Sequence, residues 1–155
     1  MFPAAGILSP LPPAYASLSG IISGGGTQMN PSSDIVTLVG RVLLAVLFIL
    51  AGFNKAMGAE GTIGFIESKG LPLPQIVYVL TVLLELGGGI LLLIGFQARL
   101  IALAFAAFCI AAAVIFHPSL SDPSFLKNFA LAGGFLYVYA FGAGAYSLDA
   151  KRGKA

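Results

Sequence analysis

Residues 76–94 form an apolar run interrupted by one charged residue, Glu85, at its centre. About 20 apolar residues at 1.5 Å rise cross a bilayer, so the run has spanning length and its carboxylate falls near the midplane. Charge at that depth costs roughly 3 kcal/mol even on mild insertion scales. Glu85 must therefore be paired, protonated or hydrated. The run places the chain in a membrane and marks this acid for attention.

Composition agrees. The 155-residue chain is 58% hydrophobic and only 9% charged, whereas a soluble domain carries about 25% charged residues. There is too little polar surface to cover a globule in water, and one membrane domain in contact with the lipid bilayer is the natural reading. The formal net charge is +2, and basic residues cluster only in the tail Lys151-Arg152-x-Lys154. Nucleic acid is excluded as a partner. Cys109, the single cysteine, lies in an alanine-rich apolar segment and reads as a packing residue. A membrane thiol oxidase built on a CxxC pair has no basis here.

Four apolar runs organise the chain: 35–53, 75–96, 100–116 and 129–146. They are continuous rather than alternating, which predicts helices and not barrel strands. The fold class is all-α, an integral membrane four-helix bundle spanning 34–149. Ser32, Ser33 and Asp34 are N-cap candidates for its first helix. The link Gln97-Ala-Arg99 is short, so the second and third spans form a tight hairpin. In the loop between the first and second spans, Ile63 and Ile66 share a face among Glu60, Glu67 and Lys69. That predicts a short interfacial helix in the first outer loop, ended by Gly70 and the Pro72/Pro74 pair. Residues 1–33 are rich in Pro, Gly, Ser and Ala and lack Lys and Arg. They read as a disordered extension, with Met29 an alternative start. Residues 150–155 are a basic tail.

Charge distribution sets the expected orientation. With four spans, Arg41, Arg99, Lys151, Arg152 and Lys154 share one side, five of the eight Lys and Arg residues. Lys55, Lys69 and Lys127 are on the other. This favours a bacterial inner membrane protein with both termini cytoplasmic.

Two groups of residues could carry chemistry. Arg41 lies about 9 Å inside the first span, and antiparallel packing leaves roughly 6 Å of depth between its backbone and that of Glu85. An interior Arg41–Glu85 pair is therefore expected, either as a clasp between helices or as a proton-handling or ligand-binding site. At the outer end, Asn54, Lys55, His117, Lys127 and Asn128 close or open spans on one face. They could bind an anion or the carbonyls of a quinone-like head group, or they could simply anchor helix ends. His117, preceding Pro118, would suit a proton relay. The glycines at 87–89 and 133–134 read as close-packing positions, with a cleft beside Glu85 as the alternative. No nucleotide loop, metal cluster or haem ligand pair is present in the sequence.

The pattern resembles the DoxX family of small four-span bacterial membrane proteins. The stretches that carry the resemblance are Gly40-Arg41 through Gly52-Phe-Asn-Lys55, Gly70-Leu-Pro72, Glu85-Leu-Gly-Gly88 to Gly95, and Arg99. They continue with Asn128 through Gly133-Gly134 to Gly142-x-Gly144, and Ser147-Leu-Asp149. The resemblance implies a redox-associated role: the family takes its name from a relative associated with a thiosulfate:quinone oxidoreductase, and other members are linked to membrane complexes handling thiols and oxidative stress. It points to an accessory, non-catalytic subunit of a quinone- or thiol-linked membrane redox enzyme, with quinone as the cofactor to consider. A small carrier or lipid-binding protein gated by Glu85, and a purely structural scaffold, are the other expectations.

Overall fold

Pro31, whose fixed φ and missing N–H suit a first helical turn, opens α1, Pro31–Met57. The structure, a computed structural model, describes residues 31–153; residues 1–30 of the expected extension, with Met29, and the last tail residues lie outside that range, whereas 31–33, expected to be disordered, belong to α1. Gly58 breaks α1 from the short α2, Ala59–Ser68. After Gly70 (φ 72°) and Leu73 (φ 54°) turn the chain, α3 runs Pro74–Ile94. The helices α4, Ala98–Phe116, and α5, Pro123–Phe141, follow. A four-residue helix, α6, Leu148–Lys151, completes the described chain. Every described element is helical.

Three helices, α1, α3 and α4, are long and apolar enough to cross a membrane. The 19-residue α5 has comparable length, but Lys127, Asn128 and the Gly133-Gly134 pair dilute it. The four long helices pack together, α4 along α5 and α1 along α3, with further contacts between α1 and α5 and between α3 and α4. Large apolar side chains such as Leu43, Leu50, Leu80, Leu83 and Leu100 remain exposed. In a membrane protein such an outward surface faces lipid, where apolar exposure costs nothing.

Helix α4 turns a stripe of small residues inward: Ala98, Ala102, Ala106, Cys109 and Ala113 are all buried. Their three- and four-residue spacing keeps them on one helical face. The free thiol of Cys109 packs there with no accessible surface. At the bundle centre Phe48 of α1, Phe105 of α4 and Phe135 of α5 form a triangle of rings, with centroids 4.5, 5.3 and 4.9 Å apart. Such offset and edge contacts contribute about 1 kcal/mol each beyond burial.

Some boundaries differ from the expected ones. Because α1 begins at Pro31, Ser32, Ser33 and Asp34 sit inside its first turn, where the Thr37 hydroxyl donates to the Ser33 carbonyl at 2.9 Å. Helix α5 starts and stops earlier than the apolar run 129–146. Asp122 caps its first turn and Pro123 follows, while Gly142 (φ 86°) and Gly144 (φ 77°) end it. Hydropathy locates a greasy segment; capping chemistry and positive φ locate its ends.

The α1–α3 interface requires glycine. A Cβ on Gly52 would come within 2.8 Å of the Glu85 Cβ and 3.0 Å of the Leu86 nitrogen, and one on Gly89 within 2.7 Å of Ile49. By contrast, a Cβ on Gly64 in α2 would meet nothing within 4 Å. Gly52→Ala is expected to lower the melting temperature in detergent, because helix backbone has to move. Gly64→Ala is expected to leave it unchanged or raise it, through a helix propensity gain of up to about 1 kcal/mol. Thermal unfolding followed by circular dichroism checks both; equal effects at the two positions would remove the close-packing argument.

Candidate functional site

Glu85 lies on α3 where hydrogen bonding shifts from the α to the π pattern, over Leu83–Gly88. Such a segment inserts extra residue width into a helix and is found mostly where local geometry serves a site. Its carboxylate is 3% exposed. Lys55, near the end of α1, reaches it: Nζ donates to Oε1 at 2.9 Å and to Oε2 at 2.8 Å. The side chain of Lys55 is 33% exposed, so the pair joins a buried acid to a cation with access to the outside. This meets the requirement imposed by an acid at membrane depth.

The expected Arg41–Glu85 pair is thus corrected: the cation on Glu85 is Lys55. The reason is helix register. Antiparallel α1 and α3 set Gly52 against Glu85, Ile49 against Gly89 and Arg41 against Gly95. Arg41 is 11 positions before Gly52 in the numbering, or about 16 Å along the axis, too far for its side chain. The depth estimate assumed that α1 starts level with the end of α3, whereas α3 ends beside Arg41, well inside the length of α1. Arg41 instead donates from Nη2 to the Tyr146 carbonyl at 2.6 Å and lies in the field of Asp149. Asp149 in turn accepts from the Gln97 and Ala98 N–H groups at 2.9 and 2.8 Å, capping α4. Arg41 and Asp149 together fasten the chain after α5 to α1 and to the α3–α4 link.

At the other end of the pair a cavity of about 310 Å3 opens, lined by Lys55 and Glu85 together with His117, Lys127 and Asn128. Four of the five outer residues singled out in the sequence therefore meet around one space, and Glu85 joins them. Asn54 does not: it is exposed, and its carbonyl serves the Gly58 N–H at 3.0 Å. Helix α2 contributes Thr62, Phe65 and Ile66 to the wall, α1 contributes Phe48, and α4 contributes Phe108 and Phe116. Phe65 stacks on Phe116 at 5.5 Å, so the interfacial helix covers one side of the cavity.

The polar groups at the mouth are partly committed. His117 Nδ1 meets Asp122 Oδ2 at 2.6 Å, while Asp122 Oδ1 accepts from the Ser124 N–H at 2.8 Å. Asn128 Nδ2 donates to the Ser124 carbonyl at 2.9 Å. The Ser124 backbone bond, and after it the His117 ring, hold the Asp122 carboxyl below its ordinary value. Sequence reasoning overlooked Asp122, although an Asp-Pro pair opening an apolar helix is a readable N-cap signal. It also overlooked the four phenylalanines, which are indistinguishable in one dimension from lipid-facing residues. The described residues include no cluster of three or more metal-ligating side chains.

Comparison with known proteins places this geometry in context. A family model described as DoxX matches residues 36–118. The inner membrane protein YqjF of Escherichia coli (strain K12) is 39% identical over 125 residues, covering 78% of this chain and 95% of that protein. The inner membrane protein YphA of the same organism is 33% identical over 133 residues, 79% of this chain and 94% of that one. CatD of Bacillus subtilis (strain 168), provisionally named an oxidoreductase, is 41% identical over 78 residues, 50% of this chain and 57% of its own. No solved structure matches.

Asp122 yields a pH prediction. A carboxyl whose value is depressed on folding stabilises the fold fully above its ordinary value near 4, and that contribution is lost as pH falls through the folded value. Wild type is therefore expected to melt above Asp122→Asn at about pH 7 and to lose this advantage as pH falls below the ordinary carboxyl value. Melting curves of both proteins across that range test it; a constant gap would assign the effect to shape and not charge.

Proposed function

The chain belongs to the DoxX family, and from that premise we propose that it is a non-catalytic accessory subunit of a quinone-linked redox system in the bacterial inner membrane. The observation that carries the reading is the cavity. It joins an aromatic wall to a few convergent polar groups, the usual composition of a small-molecule site. Lys55 and Lys127 can donate to a carbonyl oxygen, and Phe48, Phe108 and Phe116 offer ring faces and edges. The names of the relatives support the location, and that of CatD supports the redox association. Both termini are cytoplasmic in this reading, which turns the mouth of the cavity to the outer side.

A pure scaffold would need the Lys55–Glu85 pair only as a clasp between helices, and a cavity beside it would have no purpose. Native mass spectrometry of the protein released from its own membrane separates the two. A copurified quinone-sized ligand, absent from Glu85→Gln, is expected. A folded but empty protein in both samples would overturn the ligand reading in favour of the scaffold.

The pair also makes a stability prediction. Lys55→Met leaves Glu85 buried without its cation, the costly half of breaking a buried pair. Lys55→Met combined with Glu85→Leu removes both charges. The double variant is expected to melt above the single variant; the reverse order would mean that Lys55 does not neutralise Glu85.

A further inference from the structure

Resting on the quinone-linked reading, we propose that the cavity is built for the reduced, hydroxyl-bearing form of an aromatic ring ligand, a hydroquinone-type phenol, with its hydroxyl against Lys55 and Glu85. The donors and acceptors left free at the pair favour such a hydroxyl. Lys55 has three N–H groups and gives two to Glu85, so one donor remains. The Glu85 carboxylate has roughly four lone-pair sites, two of which Lys55 occupies. Both residues line the cavity. What the pair still offers is therefore one donor beside an ionised acceptor.

A hydroxyl matches that combination, since its oxygen accepts from Lys55 while its hydrogen goes to Glu85. A quinone carbonyl only accepts: it satisfies Lys55 but sets an oxygen lone pair against the carboxylate. A carboxylate head group is repelled by Glu85 outright. An aryl ether takes the place of the hydroxyl but brings no hydrogen. Hydrogen bonds to an ionised acceptor are roughly twice as strong as neutral ones, so the missing hydrogen is the discriminating feature.

The rest of the wall fits the same molecule. Phe48, Phe65, Phe108 and Phe116, from three different helices, surround the space with rings, which suits a flat aromatic body. At the mouth, His117 commits Nδ1 to Asp122. With Nδ1 bonded to that carboxylate, Nε2 is the ring nitrogen left uncommitted. Asn128 commits its amide nitrogen to Ser124 and keeps its oxygen. The mouth thus offers an acceptor, the Asn128 oxygen, together with the Lys127 ammonium as donor, a combination that a second hydroxyl satisfies.

The test is calorimetric titration of the full chain in detergent, under argon, with three probes of one shape: durohydroquinone, duroquinone and the dimethyl ether of durohydroquinone. The hydroquinone is expected to bind roughly tenfold or more tighter than either of the others. Glu85→Gln should reduce that margin by weakening hydroquinone binding, because a neutral amide oxygen is a weaker acceptor than a carboxylate. If Glu85→Gln does not fold, the three probes on wild type decide the matter alone. Quinone or ether binding as tightly as the hydroquinone overturns this inference and leaves the quinone-linked reading intact. Binding of none of the three overturns both.

Discussion

The close approach of α1 to α3 governs the rest of this structure. Gly52 and Gly89 let the two backbones meet where any side chain would collide with Glu85, Leu86 or Ile49. Association between helices in lipid rests on such van der Waals contact, because lipid tails are as apolar as leucine and no hydrophobic force drives helices together. The contact also fixes register, and register decides which cation meets the buried acid. A shift of α3 by about three turns would be needed to bring Glu85 to Arg41.

That register gives the two ends of the bundle different characters. At one end Arg41 bonds Tyr146 while Asp149 bonds Gly95, Gln97 and Ala98, and together they form a lock. Gly95 is held at φ 68°, and a Cβ there would overlap the Arg41 guanidinium. At the other end the helices stay apart, and the space between them is lined by rings and by polar groups that keep some hydrogen-bonding capacity. The π-helical segment at Leu83–Gly88 lies between these ends. It offers the carboxylate to Lys55 and the cavity while Gly89 returns the helix to its α pattern.

Most of the architecture was legible in one dimension. Four apolar runs announced four long helices, the Ile63/Ile66 spacing announced the short α2, and the Gln97–Arg99 stretch announced the short link between α3 and α4. The exceptional acid was visible too, as were Lys55, His117, Lys127 and Asn128 as a group at one end. The partner of Glu85 was not. Depth along a span can be counted only from its ends, and the start of α1 does not lie level with the end of α3. Asp122 and Asp149 also passed unnoticed as caps, since their partners are backbone N–H groups that a list of side chains does not show.

Composition and periodicity by themselves determined that this chain lives in a membrane as packed helices, and that Glu85 has to be neutralised, because both follow from the cost of exposing polar groups to hydrocarbon. Tertiary structure alone decided that Lys55 is the neutralising group, that Arg41 serves the lock, and that four phenylalanines face a cavity while similar residues face lipid. Those outcomes depend on how far one helix slides and turns against another. Side-chain collisions at a few glycines set that slide, and its consequences appear only in three dimensions.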